Sequence, residues 1–183
     1  VHVFNDANSI TGAAVADESL HVYGIIGALT LNSGRAVVEE SAVVSDVNAT
    51  PSANSAAIVV LKASVQNVSV DTSAENSSSN LTVEENAVVP ELSVTGDGDV
   101  KIENNGTVKL SSPVDTAAEL SAALQLGGTI DLAGDIYFTP DTTLSSEGII
   151  PLNVVTNDTV LNLNGYKIAL TGYEGVSYAY PPA

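Results

Sequence analysis

Two carboxylate pairs, Glu39-Glu40 and Glu84-Glu85, come nearest in type and spacing to chemistry in this chain. Glycoside hydrolysis needs two carboxyl groups roughly 5–10 Å apart. Calcium needs several hard oxygen ligands, which stacked acids supply. The pairs sit in one repeated context: Ala36-Val37-Val38-Glu39-Glu40-Ser41-Ala42-Val43-Val44-Ser45-Asp46-Val47 returns 45 residues later as Leu81-Thr82-Val83-Glu84-Glu85-Asn86-Ala87-Val88-Val89-Pro90-Glu91-Leu92. In a coiled fold the two pairs share one corner and form a ladder of acids. That ladder either holds calcium or is a solvated edge that discourages sheet pairing. The edge is the expected role, because like charges stacked at about 4.8 Å repel when no ion lies between them.

Other chemistry is sparse. His2 and His21 are the two histidines, each between apolar neighbours of a strand and therefore outward-facing. No serine, aspartate and oxyanion-donor set around them makes a nucleophile elbow, so a solvent-facing role is expected and no catalytic residue is assigned. Gly96-Asp97-Gly98-Asp99 lacks the ligand pattern and closing Glu of a calcium loop and reads as a tight turn. Gly127-Gly128 lacks the Lys of a phosphate loop. Tyr173, Tyr178 and Tyr180 gather near the C-terminus and could stack on sugars or pack against other chain. Asn-X-Ser/Thr triplets begin at Asn48, Asn67, Asn76, Asn80, Asn105 and Asn157. In a secreted eukaryotic protein these would be glycosylation acceptors; in a bacterial one they follow from a composition rich in Asn, Ser and Thr.

Composition narrows the classes further. The 183 residues carry 22 acidic and 5 basic side chains, a net charge of −17 that repels phosphate backbones and anionic lipids. Nucleic acid is therefore not an expected partner; a glycan or another surface protein is. Cysteine is absent, which excludes disulfides, thiolate nucleophiles and Cys-based metal centres. No apolar run approaches the roughly 20 residues that span a bilayer, so membrane insertion is not expected. Val1-His2-Val3-Phe4 has neither a basic n-region nor a long apolar run, so a signal peptide or wall anchor would have been removed.

The elements that must position these groups follow from the repeat. Hydrophobic residues make up 44% but aromatics only 4%, so the core is built from Val, Ile, Leu and Ala, which suits stacked strands. The template is an apolar pair two apart, a polar corner, one apolar position and a second apolar pair. Alternation within each pair is the period of a strand with one face inward. A weaker copy uses Ile58, Val60, Val65, Val68 and Val70, and looser ones open near Val1, Leu20 and Val100, so successive starts lie 19, 16, 22, 23 and 19 residues apart. Variable spacing with insertions confined to one side, at residues 48–55 and 73–79, is the habit of a solenoid. A β-sandwich also alternates, but it does not need corner residues to repeat with the strands. The expected fold is all-β, a right-handed parallel β-helix.

At Ser111-Ser112-Pro113 the texture changes. Thr116-Ala117-Ala118-Glu119 is a capping box, Leu120, Ala123 and Leu124 line one helical face, and Gly127-Gly128 ends the helix, which spans about residues 115–126. Strands resume with Thr129-Ile130-Asp131-Leu132, and later with Leu161-Asn162-Leu163-Asn164-Gly165-Tyr166-Lys167-Ile168. Helix, Gly-Gly, Thr-Ile-Asp-Leu and the Leu-Asn-Gly turn together resemble the opening of a pectate-lyase-like right-handed β-helix domain, over about residues 114–170. In that superfamily a short amphipathic helix caps the first coil. The resemblance implies an extracellular carbohydrate-active enzyme or a surface adhesin, with any catalytic residues several coils further on. Here the helix follows five or six coils instead of opening the domain. The expectation is two segments, coils over 1–112 and a capping helix plus the start of a second, truncated β-helix over 113–183. The expected function is a non-catalytic extracellular or cell-surface module, adhesin-like, carbohydrate-binding or a spacer. The alternative is an N-terminal fragment of a polysaccharide lyase or glycoside hydrolase of the β-helix class.

Overall fold

Short alternating segments joined by small polar residues can bury their apolar faces only by stacking on copies of themselves, and the chain does this. The computed structural model describes residues 1–4, 6–13, 18–96, 98–111, 113–138 and 159–170. Its strands are β1 (His2–Val3), β2 (Ala7–Ala13), β3 (Ser19–Val22), β4 (Ile25–Val38), β5 (Val43–Ala49), β6 (Ala56–Leu61), β7 (Val65–Thr72), β8 (Ser78–Val83), β9 (Val88–Gly96), β10 (Asp99–Asn104) and β11 (Thr107–Leu110). Helix α1 (Ala117–Leu126) follows, then β12 (Gly128–Asp131), β13 (Ile136–Phe138), β14 (Thr159–Asn162) and β15 (Ile168–Leu170). Every pairing between these strands is parallel, and β1 to β11 wind into a solenoid of about 5 turns.

Two faces make up the wall. The first runs β1, β3, the end of β4, β6, β8, β10; the second runs β2, the start of β4, β5, β7, β9, β11. Strand β4 passes through both faces without a break. Inward positions stack in columns, such as Ala36, Val59, Leu81 and Ile102 on the first face and Leu29, Val47, Val68 and Leu92 on the second. All eight are buried. The interior they fill is lined by Val, Ile, Leu and Ala alone.

The repeat of residues 36–47 at 81–92 holds in register, two turns apart through Val59 and Leu61. The middle copy is corrected by one residue: Val59 and Leu61 belong to the solenoid core, while Ile58 and Val60 take the alternate positions outside that cluster, Val60 being buried there nonetheless. The segment Ala56–Leu61 is apolar throughout, so alternation cannot show which set faces in; the neighbouring strands decide. Likewise Val100 pairs with Ser79, and Ile102 is the partner of Leu81. The insertions are shorter than expected, covering residues 50–55 and 73–77, because Asn48 and Ala49 belong to β5 and Ser78 and Ser79 to β8. Within them Asn54 and Asn76 both adopt positive φ, 58° and 51°, and Asn76 Nδ2 donates to Asn54 Oδ1 at 3.1 Å, so one turn's loop braces the next.

Helix α1 forms where expected. Thr116 Oγ1 accepts the Glu119 N–H at 3.2 Å, and Glu119 Oε2 accepts the Thr116 N–H at 3.1 Å, completing the capping box. The helix seals the first face of the solenoid with a side chain acting as a strand. Gln125 Oε1 accepts the Ile102 N–H at 2.7 Å and Gln125 Nε2 donates to the Val100 carbonyl at 3.0 Å, so the outer edge of β10 is bonded in place of a further coil. Ala122 joins the solenoid core, whereas Leu120, Ala123 and Leu124 join a second core with Val114, Ile130, Leu132 and Ile136. Over that second core β12 pairs with β14 and β13 with β15. Asn162 Nδ2 donates to Asp131 Oδ1 at 2.8 Å, and Asn164, at φ 51°, donates to the Leu132 carbonyl at 3.2 Å.

Candidate functional site

The corner between the first face and the second carries the acidic pairs. Backbone bonds Glu39 N to Val22 O, Lys62 N to Val38 O and Glu84 N to Leu61 O stack these residues in one column. The two acidic corners, residues 39–42 and 84–87, therefore lie two turns apart, roughly 9–10 Å at the strand spacing, with Lys62 between them. Both are closed by an i to i+3 bond, Ala42 N to Glu39 O and Ala87 N to Glu84 O. The intervening corner, Lys62-Ala63-Ser64, is one residue shorter than either, and Ser64 Oγ accepts the Val88 N–H at 3.0 Å. Beside these corners lies a surface depression of about 810 Å³ lined by Glu40, Val43, Lys62, Ser64, Glu84 and Glu85 among others.

Glu39 is turned away from that role. Its side chain is 11% exposed, Lys62 Nζ donates to Oε2 at 2.8 Å, and His21 Nδ1 lies 2.6 Å from Oε1. An ionised carboxylate only accepts, so Nδ1 of His21 carries the proton. The Lys62 hydrogen bond, and after it that of His21, hold the Glu39 carboxyl below the usual carboxylate range, and the same bond raises Lys62 above its ordinary value. Sequence spacing brought the two acidic pairs to one column but not the lysine between them, which has no counterpart in the repeat. Among the described residues no three His, Cys, Asp or Glu side chains converge to hold a metal ion. Calcium in the depression would have to draw Glu40 toward Glu84 and Glu85.

A second cluster lies on the outside of the first face, where β1 pairs with β3. His2 and His21 are register partners, their rings stacked with centroids 5.0 Å apart and planes at 14°. Phe4 and Tyr23, each two residues on, stack at 4.7 Å and 14°. His2 and Phe4 lie side by side at 6.0 Å and 7°. Outward-facing histidines were expected; Phe4 and Tyr23 as their stacking partners were not. The signal was present as His-X-Phe and His-X-Tyr at the same phase of successive coils.

Tyr173, Tyr178 and Tyr180 lie outside the described residues, as does Asn157. Asn76, Asn80 and Asn105 are exposed, whereas Asn48 and Asn67 are half-buried and donate to Thr30 Oγ1 and Asp46 Oδ1 of the preceding turn. No helix among the described residues is long and apolar enough to cross a membrane. No family model, curated protein or solved structure matches the chain.

Proposed function

We propose that this chain is a non-catalytic extracellular or cell-surface module, a stiff β-solenoid that displays side chains to glycans or to another surface protein, in the manner of an adhesin or spacer. The observation that carries the reading is the continuous aliphatic stack, with the edge of β10 bonded by Gln125 of α1. A solenoid of this kind offers long, regular outer faces on which side chains stack in columns. The strong negative charge keeps such a surface soluble and excludes polyanions. The acidic corner belongs to this reading as a solvated edge of the solenoid, with calcium at Glu40, Glu84 and Glu85 as the alternative. A glycan array run with and without calcium, with melting in the presence of a chelator, tests the reading: a glycan signal is expected, a chelator effect would assign calcium to the acidic corner, and reproducible polysaccharide turnover overturns the non-catalytic reading.

A second reading is a segment of a polysaccharide lyase or glycoside hydrolase of the pectate-lyase-like class. It is favoured by the region after α1, where β12–β14 and β13–β15 begin a new parallel stack over its own core and Asn164-Gly165 makes the turn on which the resemblance rests. Product release from pectin or a related polysaccharide would establish it.

A further inference from the structure

We infer that the groove between β11 and the start of β12 is a docking site for an extended segment of a partner protein, with aliphatic side chains at alternate positions and a lysine or arginine beside the C-terminus of α1. This rests on the display reading above and gives it a protein-binding surface. In a parallel ladder the backbone groups of successive residues point alternately to the two sides of a strand. Thr107 N donates to the Ala87 carbonyl and Ser111 N to the Leu92 carbonyl, so residues 107, 109 and 111 face β9. The extra residue of the irregular register lies on β9, which keeps the alternation along β11. The N–H and carbonyl groups of Val108 and Leu110 therefore face the next position in the stack. On the first face the corresponding groups of β10, the Val100 carbonyl and the Ile102 N–H, are taken by Gln125. No strand or side chain among the described residues does this for β11.

The groove has a volume of about 310 Å³, at the small end of the range for ligand pockets, about 300–1,000 Å³. Val108, Leu110, Val114, Leu126 and Ile130 line it, and between them they pack against both the solenoid core and the second core, so it lies over the seam between the two. An extended segment meets both demands: its backbone pairs with the edge of β11 while every second side chain enters the groove. A second copy of this chain is disfavoured, because its strands are embedded in their own walls and a charge of −17 on each copy opposes association. Charge selects the occupant further. Helix α1 has no basic residue in its last turn to offset the partial negative charge of its final carbonyls, and Leu126, Gly127 and the carboxylate-bearing Asp131 all line the groove. Lys109, on β11, is the one cation among the lining residues, so a basic side chain of the segment is drawn to the side of α1 and β12.

The test is titration of the whole chain, followed by amide NMR, with the end-blocked peptide Lys-Val-Thr-Val-Thr-Val up to about 1 mM and with the same peptide carrying Glu in place of Lys, alongside sedimentation of the same samples. The lysine peptide is expected to bind and to protect the Val108 and Leu110 amides from hydrogen exchange. The glutamate peptide should bind about five-fold more weakly at low salt. Thr129→Trp, at an exposed position lining the groove, should weaken binding about ten-fold or more and leave the melting temperature unchanged. Failure of the lysine peptide to bind, binding that leaves both amides unprotected, or binding indifferent to Thr129→Trp overturns the docking site and leaves the glycan-display reading standing. Equal affinity for the two peptides overturns the assignment of a basic partner. If Thr129→Trp lowers the melting temperature, the protection of Val108 and Leu110 in the parent decides alone. Self-association of the parent that Thr129→Trp abolishes makes a second copy the occupant and overturns the proposal. Polysaccharide turnover, measured separately, bears on the display reading and not on the groove.

Discussion

Replacing Gln125 tests how the end of the solenoid is closed. Its side chain is almost fully buried and makes the two bonds that a next strand would have made, to the Ile102 N–H and the Val100 carbonyl. In Gln125→Ala the buried Ile102 N–H loses its acceptor, at a cost of about 1–3 kcal/mol, and the less buried Val100 carbonyl loses a bond contributing about 0.5–1.5 kcal/mol. Alanine returns a few tenths of a kcal/mol, roughly, in helix propensity. The net loss is about 1.5–4 kcal/mol, read as a lowered urea midpoint with unchanged slope. Gln125→Met keeps length and volume without the bonds and should fall close to the alanine variant, which separates hydrogen bonding from packing. Hydrogen exchange locates the effect: the Ile102 amide should lose protection in both variants. If Gln125→Met stays within about 0.5 kcal/mol of the parent, or Ile102 keeps its protection, the view of this side chain as a substitute strand is wrong.

Further outcomes follow from the corner and the core. Glu39 has its folded pKa below its unfolded one, so its contribution is complete above the unfolded value and is lost as pH falls through the folded value. Urea midpoints should therefore separate the parent from Glu39→Gln near neutral pH and draw together in acid; a constant gap contradicts the pairing with Lys62 and His21. Leu81→Ala, at 1% exposure in the middle of a core column, should cost about 2–5 kcal/mol by denaturant titration. Gly106→Ala would drive a Cβ into the carbonyl oxygens of Ala87 and Glu84 and should cost about 1–3 kcal/mol, whereas a silent substitution would mean that this corner can spread. Thr116→Ala removes the N-cap acceptor of α1 and should cost about 1 kcal/mol, checked by thermal melting.

The amino-acid sequence by itself determined the solenoid and its cap. Strands with one buried face must alternate, and the recurrence of Val-Glu-Glu and Ala-Val-Val at one interval required identical coils to stack, so architecture and most inward residues were legible locally. The capping box and Gly127 marked α1 for the same reason: they satisfy groups within a few residues of one another. Tertiary structure decided what depends on neighbours from other turns. Only register told Val59 and Leu61 from Ile58 and Val60 in a run that is apolar throughout. Only the stacking of corners put Lys62 between Glu39 and Glu84 and gave Glu39 a cation and an imidazole as partners. Gln125 reads as one polar residue in a helix until β10, a turn of solenoid away, presents an unfilled edge. The rings of His2, Phe4, His21 and Tyr23 come from two strands and become one surface only when those strands pair, because contacts between successive coils are invisible to any pattern confined to one of them.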